Sequence, residues 1–94
     1  MARVVISPEA VAEIQDIWFY IALDSGAAAD RVRAAIDHRI RPLAEFPLMG
    51  PERDDIGQGV RMLVEGRYLI LYAYDEARDL VEVVSVVDGA RNLP

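Results

Sequence analysis

The stretch RYLILYAY, residues 67–74, decides the fold, because it has the pattern of a strand at the centre of a β-sheet. Successive side chains of a strand point to opposite faces, and here both faces are apolar or aromatic. Residues 80–87, LVEVVSVV, are nearly as apolar, and residues 60–64 precede the central stretch. A tight turn at residues 65–66 and a polar turn at 75–79 separate the three stretches. We therefore predict three consecutive antiparallel strands.

The sequence before this meander has the pattern of one strand and two helices. Residues 3–6, RVVI, are β-branched and predict a strand that ends at Ser7. Ser7 is a good helix N-cap because Pro8 follows it at the first helical position, where a missing N–H is harmless. Ser25 has the same role in a second helix, which begins after a short turn at residues 24–26. The second helix is expected to loosen at Pro42.

This order of elements predicts an α+β fold in one domain, residues 1–94. It consists of an N-terminal strand, an α-helical hairpin and then a three-stranded antiparallel meander. Both helices are expected on one face of an antiparallel sheet. Residues 47–59 are predicted to be a loop, which Leu48, Met49 and Ile56 are expected to pin to the core.

The first helix is apolar over more than one face. Its predicted buried stripe is Val11, Ile14, Trp18, Ile21 and Ala22. Ile17 and Phe19 do not belong to that stripe and are left over as apolar surface. Because two helices cover only one face of a sheet, we expect a partner protein to complete the other face or a groove at its rim.

Composition limits the classes of function. The chain of 94 residues has sixteen carboxylates against ten cationic side chains, all arginine, and a net charge of −6. Binding to nucleic acid by bulk charge is therefore not expected. The absence of cysteine excludes disulfides and thiolate catalysis. No run of apolar residues is long enough to span a membrane or to form a signal peptide, so a cytoplasmic protein is expected.

Residues that carry catalytic or metal chemistry are sparse. His38 is the only histidine, and it lies on the polar side of a predicted helix. Without cysteine there is no recognisable set of metal ligands, and the serines are expected to be caps or strand residues. The glycine pair at 57 and 59 is not followed by a helix and so does not predict a phosphate loop. We expect no catalytic residues, no metal and no cofactor.

The arginines and tyrosines allow more than one interpretation. Arg61, Arg67 and Arg91 are placed where they would converge at one end of the sheet as a small cationic patch. Alternatively they form surface ion pairs, with Glu65, Glu82 and Asp88 as the candidate partners. Tyr68, Tyr72 and Tyr74 share a strand face, where they are core residues, a stacking surface for bases, or anchors for a peptide. The scarcity of cations nearby favours core or peptide contact.

Several segments together resemble the ParE branch of the RelE/ParE superfamily of bacterial type II toxins. They are residues 6–10 (ISPEA), 13–22 (EIQDIWFYIA), 43–50 (LAEFPLMG), 59–64 (GVRMLV), 68–72 (YLILY) and 83–91 (VVSVVDGAR). Together they extend over essentially the whole chain, and their order and spacing are more specific than any one of them.

The resemblance implies a small toxin made with a ParD-like antitoxin, whose C-terminal part wraps the toxin. It also implies that the free toxin inhibits DNA gyrase by protein contact, not as an enzyme. The residues then expected to bind the antitoxin are Ile14, Ile17, Trp18, Tyr20, Ile21, Arg61, Leu63 and Arg67. Those expected to bind the target are Arg61, Arg67 and Arg91.

Two alternatives remain open. Related RelE toxins cleave messenger RNA on the ribosome, and Arg61, Arg67, Arg91 and a tyrosine are the residues that would serve that reaction here. Against it, the family often has histidine where this chain has Asp88, and the chain is acidic and lacks lysine. The other alternative is a non-toxic homologue that is kept as a binding module.

Overall fold

Strands and helices follow one another along the chain in the predicted order. A computed structural model describes residues 1–90. Its elements are β1 (Arg3–Ile6), α1 (Pro8–Ala22), α2 (Gly26–Ile40), a 3-10 helix (Arg41–Ala44), β2 (Arg61–Glu65), β3 (Tyr68–Asp75) and β4 (Leu80–Asp88). The α+β class, the helical hairpin and the three-stranded meander are thereby confirmed.

The sheet has the strand order β1-β4-β3-β2. The pairs β2–β3 and β3–β4 are antiparallel, as predicted, whereas β1 lies parallel to β4. The expectation of a purely antiparallel sheet is therefore wrong, because β1 enters at the edge beside β4 and runs in the same direction. The register places Ile6 opposite Val83, so β1 covers only the first part of β4.

Both helices begin as the sequence predicts. The Ser7 hydroxyl accepts a hydrogen bond from the Ala10 amide at 3.1 Å, and the Ser25 hydroxyl accepts one from the Ala28 amide at 3.1 Å. Each cap satisfies an amide that has no partner within its helix. Near Pro42 the α-helix stops and the chain continues as the short 3-10 helix, which agrees with the expected loosening.

The core lies between the two helices and the sheet face that carries Ile70 and Tyr72. Its buried members include Ala10, Ile36, Ile40, Leu43, Leu63, Ile70, Tyr72, Val81, Val83 and Val86. Between the pairs Leu71–Ser85 and Tyr72–Val83 the register shifts, so Val84 has no partner in β3. This β-bulge lets Val83 and Val86 both be buried although they are three positions apart.

The buried stripe of α1 is rotated from the predicted one. Ala10 is fully buried, and Ile14 and Ile17 pack against the core. Val11 is exposed. The prediction that Ile17 is surplus surface is therefore wrong, because the helix turns that residue towards the sheet.

The loop before β2 is fixed by polar contacts. The Gly50 amide donates to the Tyr72 hydroxyl at 2.9 Å, and the Arg61 guanidinium donates to the Gly50 carbonyl at 2.8 Å. Leu48 and Met49 are 58% and 37% exposed. The expectation that these two side chains pin the loop to the core is therefore wrong, because backbone groups make the attachment.

The outer edge of β2 is covered by neighbouring elements. The Met62 amide donates to the Pro51 carbonyl at 3.1 Å, and the Arg53 amide donates to the Val60 carbonyl at 2.7 Å. Further along, Arg39 of α2 donates from Nε to the Val64 carbonyl at 3.2 Å. Such cover stops an edge strand from pairing with another chain.

In the part of the chain described, no helix is both long and apolar enough to cross a bilayer.

Replacing Tyr72 by phenylalanine tests the attachment of the loop. The Gly50 amide would lose its buried acceptor, so we expect the free energy of unfolding at pH 7 to fall by about 1–2 kcal/mol in chemical denaturation.

The same substitution has a pH signature. Burial raises the pKa of Tyr72 above its usual value near 10. A raised pKa in the folded state means that the contribution of the phenol to stability is complete below pH 10 and is lost as the pH rises further. The stability difference between wild type and Tyr72→Phe should therefore shrink towards pH 11. An equal difference at both pH values would contradict this role of the buried phenol.

Candidate functional site

The edge of β4 beyond β1 is the starting point of the site. β1 ends at Ile6 opposite Val83, and β4 continues to Asp88. At the junction the Ser7 amide donates to the Val83 carbonyl at 2.9 Å, and the Ser7 hydroxyl donates to the Val84 carbonyl at 3.1 Å. Ser7, the N-cap residue of α1, thus continues the pairing that β1 leaves incomplete.

Glu13, further along α1, takes over the next part of the edge. Its carboxylate accepts hydrogen bonds from the Ser85 hydroxyl at 2.9 and 3.0 Å and from the Val86 amide at 3.0 Å. Hydrogen bonds to an ionised acceptor are among the stronger ones in proteins. The carboxylate therefore acts as a substitute for a strand and fixes α1 over β4. The sequence offered one signal for this contact, a single hydroxyl among the valines of residues 80–87.

Past Glu13, the second half of α1 and the end of β4 enclose a groove of about 640 Å³. We call it the α1–β4 groove, and it is lined by Glu13, Asp16, Ile17, Tyr20, Ile21, Arg67, Tyr68, Val86, Val87 and Asp88. The lining combines aliphatic side chains with three carboxylates and one guanidinium. Such a surface suits an amphipathic protein segment with basic side chains.

An ion pair closes the end of the groove next to the β2–β3 turn. Arg67 Nη2 lies 2.6 Å from Asp88 Oδ2. The Asp88 carboxylate, through this hydrogen bond, raises the pKa of the Arg67 guanidinium above its usual value. Since the arginine is more than half exposed, solvent screens the pair, which contributes little to stability. Of the two interpretations of Arg67 offered by the sequence, ion pairing with Asp88 is the one present.

Large apolar side chains continue from the groove onto the outer surface of α1. Phe19 is exposed, Tyr20 is 68% exposed, and Leu23 just beyond the helix is 75% exposed. Residues three or four positions apart are neighbours on a helix surface, so these side chains form one patch. Contiguous exposed apolar surface marks interaction sites. The sequence interpretation missed Leu23, because it lies at the helix end, outside the periodic stripe.

The eight residues expected to bind a partner separate into two groups. Those that line the α1–β4 groove are Ile17, Tyr20, Ile21 and Arg67. Ile14 lies in a second hollow, between α1 and α2, and the Trp18 indole donates to Asp30 at 2.8 Å. Leu63 is 5% exposed and Arg61 is mostly buried against the loop before β2, so the structure does not bring these four to the groove.

The predicted convergence of Arg61 and Arg67 is wrong. Arg61 begins β2 and Arg67 lies in the turn after it, and the strand between them spans roughly 15 Å. Arg61 donates to the Leu48 and Gly50 carbonyls at 3.2 and 2.8 Å and pairs with Glu52 at 3.1 Å. Arg91, the third member of the predicted patch, lies outside the described residues.

The groove presents charged, phenolic and aliphatic side chains to a ligand. Its lining has carboxylates, phenols and a guanidinium, and His38 lies elsewhere, exposed near the end of α2. Among residues 1–90, no three His, Asp or Glu side chains come together as a set that could hold a metal ion. Ser7, the buried serine, is occupied as a helix cap.

Comparison with known proteins gives a family and a fold. The family model described as the ParE toxin of the type II toxin-antitoxin system parDE matches residues 4–93. A structure of the chromosomal ParDE system of P. aeruginosa is similar at a TM-score of 0.79 and 18% identity, covering 94% of this chain and 96% of the other. The toxin-antitoxin complex RelBE2 of Mycobacterium tuberculosis is similar at 0.70 and 21%, covering 93% and 96%. No curated protein sequence matches closely enough to be a relative.

Replacing Glu13 by alanine tests its role on the edge of β4. The substitution leaves the Val86 amide and the Ser85 hydroxyl without their acceptor. We expect the free energy of unfolding to fall by about 2–3 kcal/mol, and the Val86 amide to exchange faster with solvent. Asp16→Ala, on the exposed side of the same helix, is the matched control and should change stability by less than about 0.5 kcal/mol. Equal losses in the two variants would refute the assignment.

Proposed function

The chain belongs to the ParE toxin family of type II toxin-antitoxin systems, and from this premise we propose that a ParD-like antitoxin neutralises it by binding the α1–β4 groove. The observation that carries the proposal is this groove, with aliphatic and acidic lining, in a chain that matches the family model over residues 4–93. We place the complex in the cytoplasm.

The antitoxin segment that suits the groove is amphipathic and basic. Its apolar side chains would contact Ile17 and Ile21, and its basic side chains would face Asp16 at the rim. Peptide recognition commonly uses grooves beside helices and strand edges. Tyr20, exposed beside the groove, is the natural anchor, because aromatic side chains dominate the binding energy of many interfaces.

The target that we propose is DNA gyrase, which the toxin would inhibit by protein contact, without catalysis. The arrangement of the arginines supports binding over RNA cleavage, because Arg61 and Arg67 lie at opposite ends of β2 and do not meet around one phosphate. The net charge of −6 also disfavours contact with a phosphate backbone.

The antitoxin site is tested by Tyr20→Glu. The substitution removes the aromatic anchor and puts a hydrated carboxylate where apolar side chains of the antitoxin would pack. We expect the dissociation constant for the antitoxin encoded beside the toxin to rise at least tenfold in calorimetry, which is about 1.4 kcal/mol. Val64→Glu, an exposed apolar-to-acid change on β2, is the control and should stay within threefold of wild type. If Tyr20→Glu binds the antitoxin as tightly as wild type does, the proposal that the antitoxin binds in this groove is wrong.

The target is tested with purified DNA gyrase. We expect the toxin to inhibit supercoiling of relaxed plasmid and an equimolar amount of antitoxin to restore it. Ribosome-dependent cleavage of messenger RNA, with gyrase unaffected, would instead support the nuclease alternative. Normal growth of cells that express the chain without antitoxin would show a non-toxic binding homologue.

A further inference from the structure

A second apolar surface lies at the other end of the sheet, in the loop after the 3-10 helix. Phe46 and Leu48 are 57% and 58% exposed, and Met49 follows directly. With Pro47, Tyr74 and Glu76 they line a hollow of about 510 Å³, which we call the 46–49 shelf. Three large apolar side chains exposed within four residues form a contiguous patch of the kind that marks interaction sites.

The backbone of the shelf is held firmly although its side chains face solvent. The Phe46 amide donates to the Pro42 carbonyl at 2.8 Å, and the Met49 amide donates to the Phe46 carbonyl at 3.2 Å. Arg61 donates to the Leu48 carbonyl at 3.2 Å and to the Gly50 carbonyl at 2.8 Å. The mostly buried guanidinium of Arg61 thus holds the backbone of a loop whose apolar side chains face solvent.

At Gly50, next to the shelf, the loop packs closely against the sheet. A Cβ at this position would lie 2.8 Å from the Met62 carbonyl oxygen and 2.9 Å from the Tyr72 hydroxyl. Only glycine lets the loop approach the sheet this closely, and the Gly50 amide then reaches the Tyr72 hydroxyl. A loop that is fixed before binding loses little conformational entropy on binding. The shelf therefore has the properties of a preformed docking surface.

The charges around the shelf favour a basic partner. Glu45 precedes Phe46 and is exposed, Glu76 lines the hollow, and no arginine lines it. The nearby Arg61 is already paired with Glu52. A second copy of this chain would place the same carboxylates against each other, which opposes association. The complementary occupant is an apolar segment flanked by lysine or arginine.

The shelf is separate from the α1–β4 groove. Tyr68 lines the groove and Tyr74 lines the shelf, and six residue steps along β3 separate them by about 20 Å. An antitoxin segment in the groove therefore does not itself cover the shelf, and the antitoxin would neutralise the toxin because the rest of its chain keeps the target from approaching. We infer that the 46–49 shelf is the surface by which the toxin engages its target protein, through a basic amphipathic segment of that target. This inference rests on the proposed function.

Arg61 has a defined part in this arrangement. It is a positioning residue, because its guanidinium contacts the carbonyls of the loop and not the open side of the shelf. This also accounts for an arginine in β2 that lies far from the groove.

Leu48→Glu tests the inference, with Val64→Glu as an equally polar change on an exposed strand position. In cells without antitoxin, we expect Leu48→Glu to restore colony counts at least a hundredfold over wild type, and Val64→Glu to stay as toxic as wild type. In calorimetry with purified antitoxin, both variants should bind within threefold of wild type. With purified gyrase, Leu48→Glu should inhibit supercoiling at least tenfold less.

Undiminished toxicity of Leu48→Glu would overturn the inference while leaving the proposed function intact. A parallel loss of antitoxin binding would also overturn the inference, and it would extend the antitoxin site from the groove to the shelf. A wild-type chain that neither binds the antitoxin nor harms growth would instead refute the proposed function, and the inference with it. A toxin that is dimeric in solution and becomes monomeric in Leu48→Glu would assign the shelf to a second copy and would also overturn the inference.

Arg61 is tested by comparing Arg61→Lys with Arg61→Ala. Lysine keeps a charged donor that can reach a loop carbonyl, so toxicity should be partly retained in Arg61→Lys and lost in Arg61→Ala. Antitoxin affinity should be retained in both. If Arg61→Ala does not fold, as judged by circular dichroism, Leu48→Glu still decides the inference. Equal toxicity of both variants and wild type would contradict the positioning role.

Discussion

The difference in length between β1 and β4 is the constraint on which the rest of the structure depends. β1 ends opposite Val83, so the edge of β4 beyond that residue needs other hydrogen-bond partners. Ser7, the N-cap of α1, and Glu13 within the helix supply them, by contacts to Val84, Ser85 and Val86. Because these contacts hold the first half of α1 against the strand, the second half stands over the end of β4 and forms the groove.

The opposite edge of the sheet is covered in a similar way. There, the outer edge of β2 is covered by the loop before it and by Arg39 of α2. Tyr72 and Arg61 attach that loop through its backbone, so its apolar side chains are left outside the core. Both candidate surfaces thus arise where helices and loops cover strand edges.

Local patterns predicted most of the fold, whereas the site depended on contacts between distant residues. Ser7 and Ser25 could be identified as caps because a cap and its helix are adjacent in sequence. Three other features could not be identified from the sequence, because each depends on a partner that is distant in sequence. They are the bulge at Val84, the contact from Glu13 to Val86 and the parallel pairing of β1. Leu48 was misplaced because hydrophobicity alone does not reveal that backbone groups already hold the loop.

We propose that the toxin has two recognition surfaces, at opposite ends of β3. Amide hydrogen exchange of the labelled toxin, alone and bound to its antitoxin, tests this most directly. We expect slower exchange in the complex at residues 17–21 and 86–88, with unchanged exchange at residues 46–50. Slower exchange at residues 46–50 with no change along α1 would contradict it.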